Sequence, residues 1–205
     1  TWRSLGLRGT GTHHFRAEAL VLPVERTCAT LESEPCVDVP LLRIPPPSQF
    51  ALSVASVALG VAAGALDDVQ AVAAQKVPFL AHSTLATDRR YHQQLAVAEA
   101  GLAAARVLLH AEAEHSWADA VGGVPAADER RARVRAAAAW ATAQAASVVT
   151  GLHHIAGSAG VYEDGPLPRR LRDIHTITQH FLVRPSTFDT SGALLAGQPI
   201  DVPIF

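Results

Sequence analysis

The chain has 205 residues, 49% of them hydrophobic and 18% charged, with a formal net charge of −2. That balance describes a globular protein with a core of its own. It excludes a charge-rich disordered chain and gives no basic surplus for binding nucleic acid.

Residues 1–27 read as two strands. Leu5 and Leu7 alternate with glycine and arginine, Gly9-Thr10-Gly11-Thr12 makes a turn, and Phe15 to Val24 resumes a run of β-formers. Two strands cannot bury a sheet face alone, so they are expected to pair with other material or to pack on helices. Residues 28–48 form a connecting loop, because Pro35, Pro40 and Pro45-Pro46-Pro47 block regular structure. Cys28 and Cys36 lie in that loop and are expected to be reduced, unpaired thiols. No charged-then-apolar leader heads the chain, which sets a cytoplasmic expectation.

From Ser48, a fair N-cap, the character is helical. Phe50–Leu66 is an apolar run threaded with Ser53, Ser56, Gly60 and Gly64, continued by the more polar Val69–Lys76. A membrane span is one reading of that run. Its length and small residues favour a helix surrounded by other helices in a bundle, with no membrane contact. Residues 77–86 read as a loop. Thr87 or Asp88 caps a second helix reaching Val121, and Gly122-Gly123-Val124-Pro125 breaks it. Asp128-Glu129 opens a third helix to His154, with acids where the macrodipole favours them. Gly157-Ser158-Ala159-Gly160 is the next break. Asp164-Gly165-Pro166 then starts a fourth helix, and residues 184–205 form a proline-punctuated tail. The architecture is mainly α, with two strands feeding an up-down four-helix bundle over 49–183.

The fourth helix holds the densest polar chemistry: Arg169, Arg170, Arg172, Asp173, His175, Thr176, Gln179 and His180. In a continuous helix Asp173, Thr176 and His180 share one face, and His175 points about 140° away from His180. A hydroxyl at i−4 can hold one imidazole nitrogen and leave the other for proton transfer near neutral pH. Spacing alone favours a solvated or packed helix-end histidine. The arginines suit a solvated face or an interface. Ten histidines raise a metal reading, but none pair at i,i+4 on a helix, so no metal site is expected. Nucleophile-elbow, phosphate-loop and Cys-x-x-Cys motifs are all missing.

Two separated stretches resemble one family. Trp2-Arg-Ser-Leu-Gly-Leu-Arg-Gly-Thr-Gly-Thr12 and the strand ending Val21-Leu22-Pro23 look like the close of the middle β-domain of the acyl-CoA dehydrogenase superfamily. Gly157-Ser158 through Pro166-x-x-Arg169-x-x-Arg172-Asp173 is similar to its Gly-Gly and Arg-Asp signature, and the helices between match its C-terminal bundle. The resemblance implies that 1–27 is a remnant of the β-domain, 28–48 a linker, 49–183 the bundle and 184–205 a tail. Where such dehydrogenases carry the glutamate that abstracts a proton, this chain reads Gln179-His180-Phe181. That departure resembles the flavin-dependent monooxygenase branch, and implies His180, oriented by Thr176, as the catalytic residue.

The same resemblance implies cofactor contacts. A Gln-x-x-Gly-Gly segment that touches a neighbouring subunit's flavin matches His154-Ile-Ala-Gly157-Ser158. An Arg-x-x-Phe contact is represented by Phe79 with Ser83 nearby, and its arginine is absent. The implied cofactor is FAD or FMN. The implied partners are further copies in a dimer or tetramer, an N-terminal region or separate chain completing the enzyme, and a flavin reductase. Two rival readings are an acyl-CoA dehydrogenase with its base elsewhere and a non-catalytic oligomerising bundle.

Overall fold

The computed structural model describes residues 2–28 and 35–200. Six helices follow one another: α1 Pro40–Arg43, α2 Pro46–Gln75, α3 Arg89–Val121, α4 Asp128–Ala156, α5 Pro166–Ile177 and α6 Thr187–Leu195. Helix α4 lies at the centre and packs against α2, α3, α5 and α6.

Alanine sets the spacing of this bundle. On α2 the fully buried residues Ala51, Ala55, Ala58, Ala62, Ala65, Val69 and Ala73 recur in steps of three and four. The facing stripe on α4 runs Ala138, Ala141, Ala145, Val149, Leu152 and Ala156, each at most 1% exposed. Stripes at 3.5-residue spacing face a partner along a shallow left-handed crossing, and small side chains let the axes approach to about 8 Å. By length and a mean hydropathy of 1.8, α2 could cross a membrane. Its buried stripe instead faces α4, with α5 and α3 on either side.

Helix boundaries follow their chemistry. Pro46 opens α2 two residues before the expected Ser48 cap, because a proline at the first helical position loses no needed hydrogen bond. The Asp88 carboxylate accepts from the Tyr91 N–H at 2.9 Å and caps α3 as expected. Helix α1 forms in the expected loop, again opened by a proline. Helix α6 forms in the expected tail and is pinned to α4 by the Ser191 hydroxyl, which donates to the Ala132 carbonyl at 3.0 Å.

The two expected strands are not present among the described residues. Leu7 and Gly11 adopt left-handed conformations (φ 54° and 58°) around a short 3-10 turn at Arg8–Thr10. Thr10 donates to the Leu7 carbonyl at 2.9 Å, so local bonds occupy groups that a ladder would need. Residues 11–28 are exposed and make only a second 3-10 turn, at Val24–Arg26. Cys28 and Cys36 are exposed free thiols.

Residues 2–7 do pack, through Gly6 and Leu7 against α5. The Asp173 carboxylate accepts from the Leu7 N–H at 2.6 Å, and the Trp2 indole donates to the Leu7 carbonyl at 2.9 Å. Gly6 lies so close to the α5 backbone that a Cβ there would fall 2.2 Å from the Arg172 carbonyl oxygen. On the other side of α5, Arg170 pairs with Asp68 of α2 at 2.8 Å, its guanidinium lying over Gly64.

Candidate functional site

Two features carry the polar chemistry, and they occupy different places. The first is an end of the bundle, where the α2–α3 loop meets the break after α4. Lys76, the chain's single lysine, joins them: its ammonium donates to the Ala156 carbonyl and, at 3.0 Å, to the Ser158 hydroxyl. A cation there offsets the negative end of the α4 macrodipole. Two of the three ammonium donors are used, which leaves one for another acceptor.

The backbone turns sharply at this point. Gly157 has φ 56° and ψ −130°, a region open to glycine and strongly strained for other residues. Its N–H closes α4 by donating to the His154 carbonyl. The His154 ring is exposed and sits edge-on to His153, centroids 6.2 Å apart, while His153 Nε2 is 2.8 Å from the Gly160 carbonyl oxygen. Across Lys76, Phe79 is 93% exposed on a loop whose next residue, Leu80, takes a left-handed φ of 65°. Ser83 accepts from the Thr87 hydroxyl at 2.9 Å. His154, Gly157, Ser158, Phe79 and Ser83 are thus gathered on the two segments that Lys76 ties together.

Lys76 also revises the sequence reading of this site. It stands three residues before Phe79, where the family pattern has arginine, so the positive charge is retained in a shorter, single-point form. The spacing was legible in Lys76-Val-Pro-Phe79.

The second feature is His180. Helix α5 ends at Ile177, where the Thr178 hydroxyl donates to the His175 carbonyl at 2.8 Å, so His180 lies in the following turn. The i−4 relation to Thr176 is therefore lost. The Thr176 hydroxyl donates instead to the Arg172 carbonyl at 2.8 Å, and no hydrogen bond joins it to His180 among the described residues. The orienting role expected of Thr176 passes to the turn itself. The Leu182 N–H approaches His180 Nδ1 at 3.3 Å, and the Phe181 ring stacks at 5.0 Å with an interplanar angle of 25°. Leu182 and Val183 are buried directly beyond it. The ring is exposed on its outer side, while crowding on the inner side holds its pKa below the usual histidine value.

That arrangement assigns a tautomer. With Nδ1 facing an N–H donor, the proton of the neutral ring resides on Nε2, which can donate outward. His175, five residues earlier, is held by the Thr150 hydroxyl of α4 at 3.0 Å and serves as an inter-helix tie.

No hydrogen bond links His180 to the Lys76 cluster among the described residues. Helix α5, about 18 Å long, starts beside the 157–160 turn and carries the chain away from it. A cavity of about 600 Å³ between α4, α6 and the α3–α4 connection contains none of these residues.

Known proteins are similar to this chain in sequence or in fold. The profile of the acyl-CoA dehydrogenase C-terminal domain matches residues 52–185. The indole-3-acetate monooxygenase of Pseudomonas putida is 31% identical over 202 residues, covering 98% of this chain and 51% of that protein. The structure of a 3-HSA hydroxylase from Rhodococcus sp. RHA1 superposes with a TM-score of 0.86 at 24% identity, over 100% of this chain and 55% of that one. XiaF from Streptomyces sp., in complex with FADH2 and glycerol, superposes with a TM-score of 0.76 at 23% identity, over 82% of this chain and 43% of that one. The chain spans about half the length of the curated relatives it matches. With its bundle matched from α2 to the turn beyond His180, the chain belongs to the acyl-CoA dehydrogenase C-terminal domain family.

Proposed function

We propose that this chain is the C-terminal half of a flavin-dependent monooxygenase acting on an aromatic substrate. The observation that carries the reading is a neutral, proton-donating imidazole at His180, where a dehydrogenase of this fold needs a carboxylate base. The 31% identity to an indole-3-acetate monooxygenase over nearly the whole chain supports it.

The end cluster fits a flavin dinucleotide. Lys76 offers a free ammonium donor to a diphosphate, and Phe79 offers an uncovered aromatic face for a planar ring. Ser158 and the Gly157 turn bring backbone close to the same place. Such a set has a purpose only if the cofactor extends beyond its phosphate, which favours FAD over FMN. Bound reduced flavin supplies the electrons that activate oxygen for insertion into the substrate. His180 stands apart from the cluster. The cluster therefore serves a neighbouring copy's cofactor, while His180 faces its own.

His180 acts through Nε2. Held neutral at pH 7, it donates to a substrate oxygen or returns a proton during the oxygen step, a contribution worth about 10²–10⁴ in rate. The test supplies the full-length protein with reduced FAD, oxygen and indole-3-acetate, and follows hydroxylated product. His180→Ala is expected to lower kcat within that range with flavin affinity unchanged. Full turnover in that variant sinks the assignment, and acyl-CoA oxidation under anaerobic conditions would make the protein a dehydrogenase.

A further inference from the structure

The turn after α5 holds the main chain of His180 on both sides. Its N–H donates to the Ile177 carbonyl at 3.0 Å, and its own carbonyl accepts from the Val183 and Arg184 N–H groups, each at 3.0 Å. Leu182 and Val183, 2% and 3% exposed, anchor the turn in the core. With the backbone fixed, the freedom left to His180 is rotation of its ring. That rotation decides the chemistry, because a half-turn of the imidazole puts a carbon where Nε2 stood at the outer edge.

Two contacts oppose the half-turn. One is the Leu182 N–H, whose only acceptor among the described residues is His180 Nδ1 at 3.3 Å. A flipped ring would set a C–H against that donor and leave it buried without a partner, a state that folded proteins avoid. At 3.3 Å the bond is long, however, and a long bond restrains weakly. The other contact is Phe181, whose ring lies 5.0 Å from the imidazole, centroid to centroid, at 25°. That separation falls within the range of offset-stacked pairs. To flip, the imidazole must pass through an orientation perpendicular to its present plane, with an edge turned into the Phe181 face. The ring bonds to no charged group among the described residues, so its orientation rests on these two contacts.

We infer that Phe181 is a positioning residue for His180: its stacked ring holds the imidazole in the flip that points Nε2 outward, and the Leu182 N–H completes the restraint from behind. The inference rests on the proposed role of His180 in proton delivery, and adds the residue that keeps the delivering nitrogen in place. A ring that flipped freely would present Nε2 for part of the time, and turnover would fall with the competent fraction. A stacked pair of this kind shifts such an equilibrium by about two- to tenfold.

The experiment uses the full-length protein with histidine labelled in both ring nitrogens. At pH 8 the His180 ring is neutral, so nitrogen NMR reads Nδ1 and Nε2 separately, and hydrogen exchange at the Leu182 amide is followed alongside. Phe181 is 50% exposed and stands outside the buried core, so its truncation removes the stack without opening a cavity. Phe181→Ala is expected to draw the two nitrogen signals together and to speed Leu182 exchange about two- to tenfold. It should lower kcat by up to the same factor, with flavin affinity and substrate KM unchanged. Phe181→Tyr keeps the aromatic face and is expected to restore all three readouts, whereas Phe181→Leu keeps bulk alone and should behave as the alanine variant. Wild-type ring signals and Leu182 exchange in Phe181→Ala overturn the inference, and so does equal rescue by leucine, which would make the contact ordinary packing. Altered ring signals in Phe181→Ala together with full turnover in His180→Ala would remove His180 from the reaction and leave the ring restraint standing.

Discussion

Gly6→Ala probes the junction between the Gly6-Leu7 segment and α5. The added Cβ would lie 2.2 Å from the Arg172 carbonyl oxygen, 2.4 Å from its carbon and 2.7 Å from Asp173 Cα. All three are backbone atoms of a helix, so no side-chain rotation can relieve the clash. The segment must retreat by more than about 1 Å to reach ordinary contact, an overpacking cost of about 1–3 kcal/mol. A retreat of that size also breaks the 2.6 Å bond from the Leu7 N–H to the Asp173 carboxylate. A hydrogen bond to a charged group contributes about 1.5–3 kcal/mol, and partial exposure places this one at the low end. The two losses overlap, because undocking relieves the clash by giving up the bond. The expected total is about 3 kcal/mol, or a Tm lower by about 6–12 °C for a chain of this length. Hydrogen exchange at the Leu7 amide should rise at the same time. Wild-type protection of that amide together with an unchanged Tm would refute the argument.

Other sites give sharper local readouts. Lys76→Met keeps the side chain's length but removes the charged bonds to Ala156 and Ser158, and is expected to lower stability by about 1–3 kcal/mol in denaturant titration. Gly157→Ala forces a Cβ into a conformation at φ 56°, ψ −130°, and should cost about 1–3 kcal/mol by the same measure. His180 should titrate below its usual 6.5 by NMR, because burial disfavours the charged ring. As pH falls the unfolded chain then takes the proton first, so this residue's stabilisation is complete above about 6.5 and is lost through the folded pKa. His180→Gln should flatten the Tm-versus-pH profile over that window, and an unchanged profile would contradict the shift.

The bundle was readable because its signals are local and repeated. Asp88 as a cap, Gly122-Gly123 as a stop and Asp128 as a start each act within one turn, and the helices obey them. The N-terminal strands were misread because Leu5, Leu7 and Phe15–Val24 have strand composition, whereas a strand exists only with a neighbour to accept its ladder. Leu7 has a carboxylate on α5 instead, 166 positions along the chain. No local pattern announces such a contact. His180 was implied by the resemblance, and its geometry was misjudged, since the helical face it was assigned to ends at Ile177. Thr178, whose hydroxyl turns back on the His175 carbonyl, was the available sign of that stop.

Lys76 has a practical consequence outside stability and binding. As the one side-chain amine in these 205 residues, it is the single lysine target for an acylating reagent in this half of the molecule, read in the peptide that carries it. An ammonium engaged with Ala156 and Ser158 is a poor nucleophile, so the labelling rate at one position reads how often the end of the bundle opens. Acylation of the peptide that carries Lys76 then gives a clock for that opening, with no engineered residue needed.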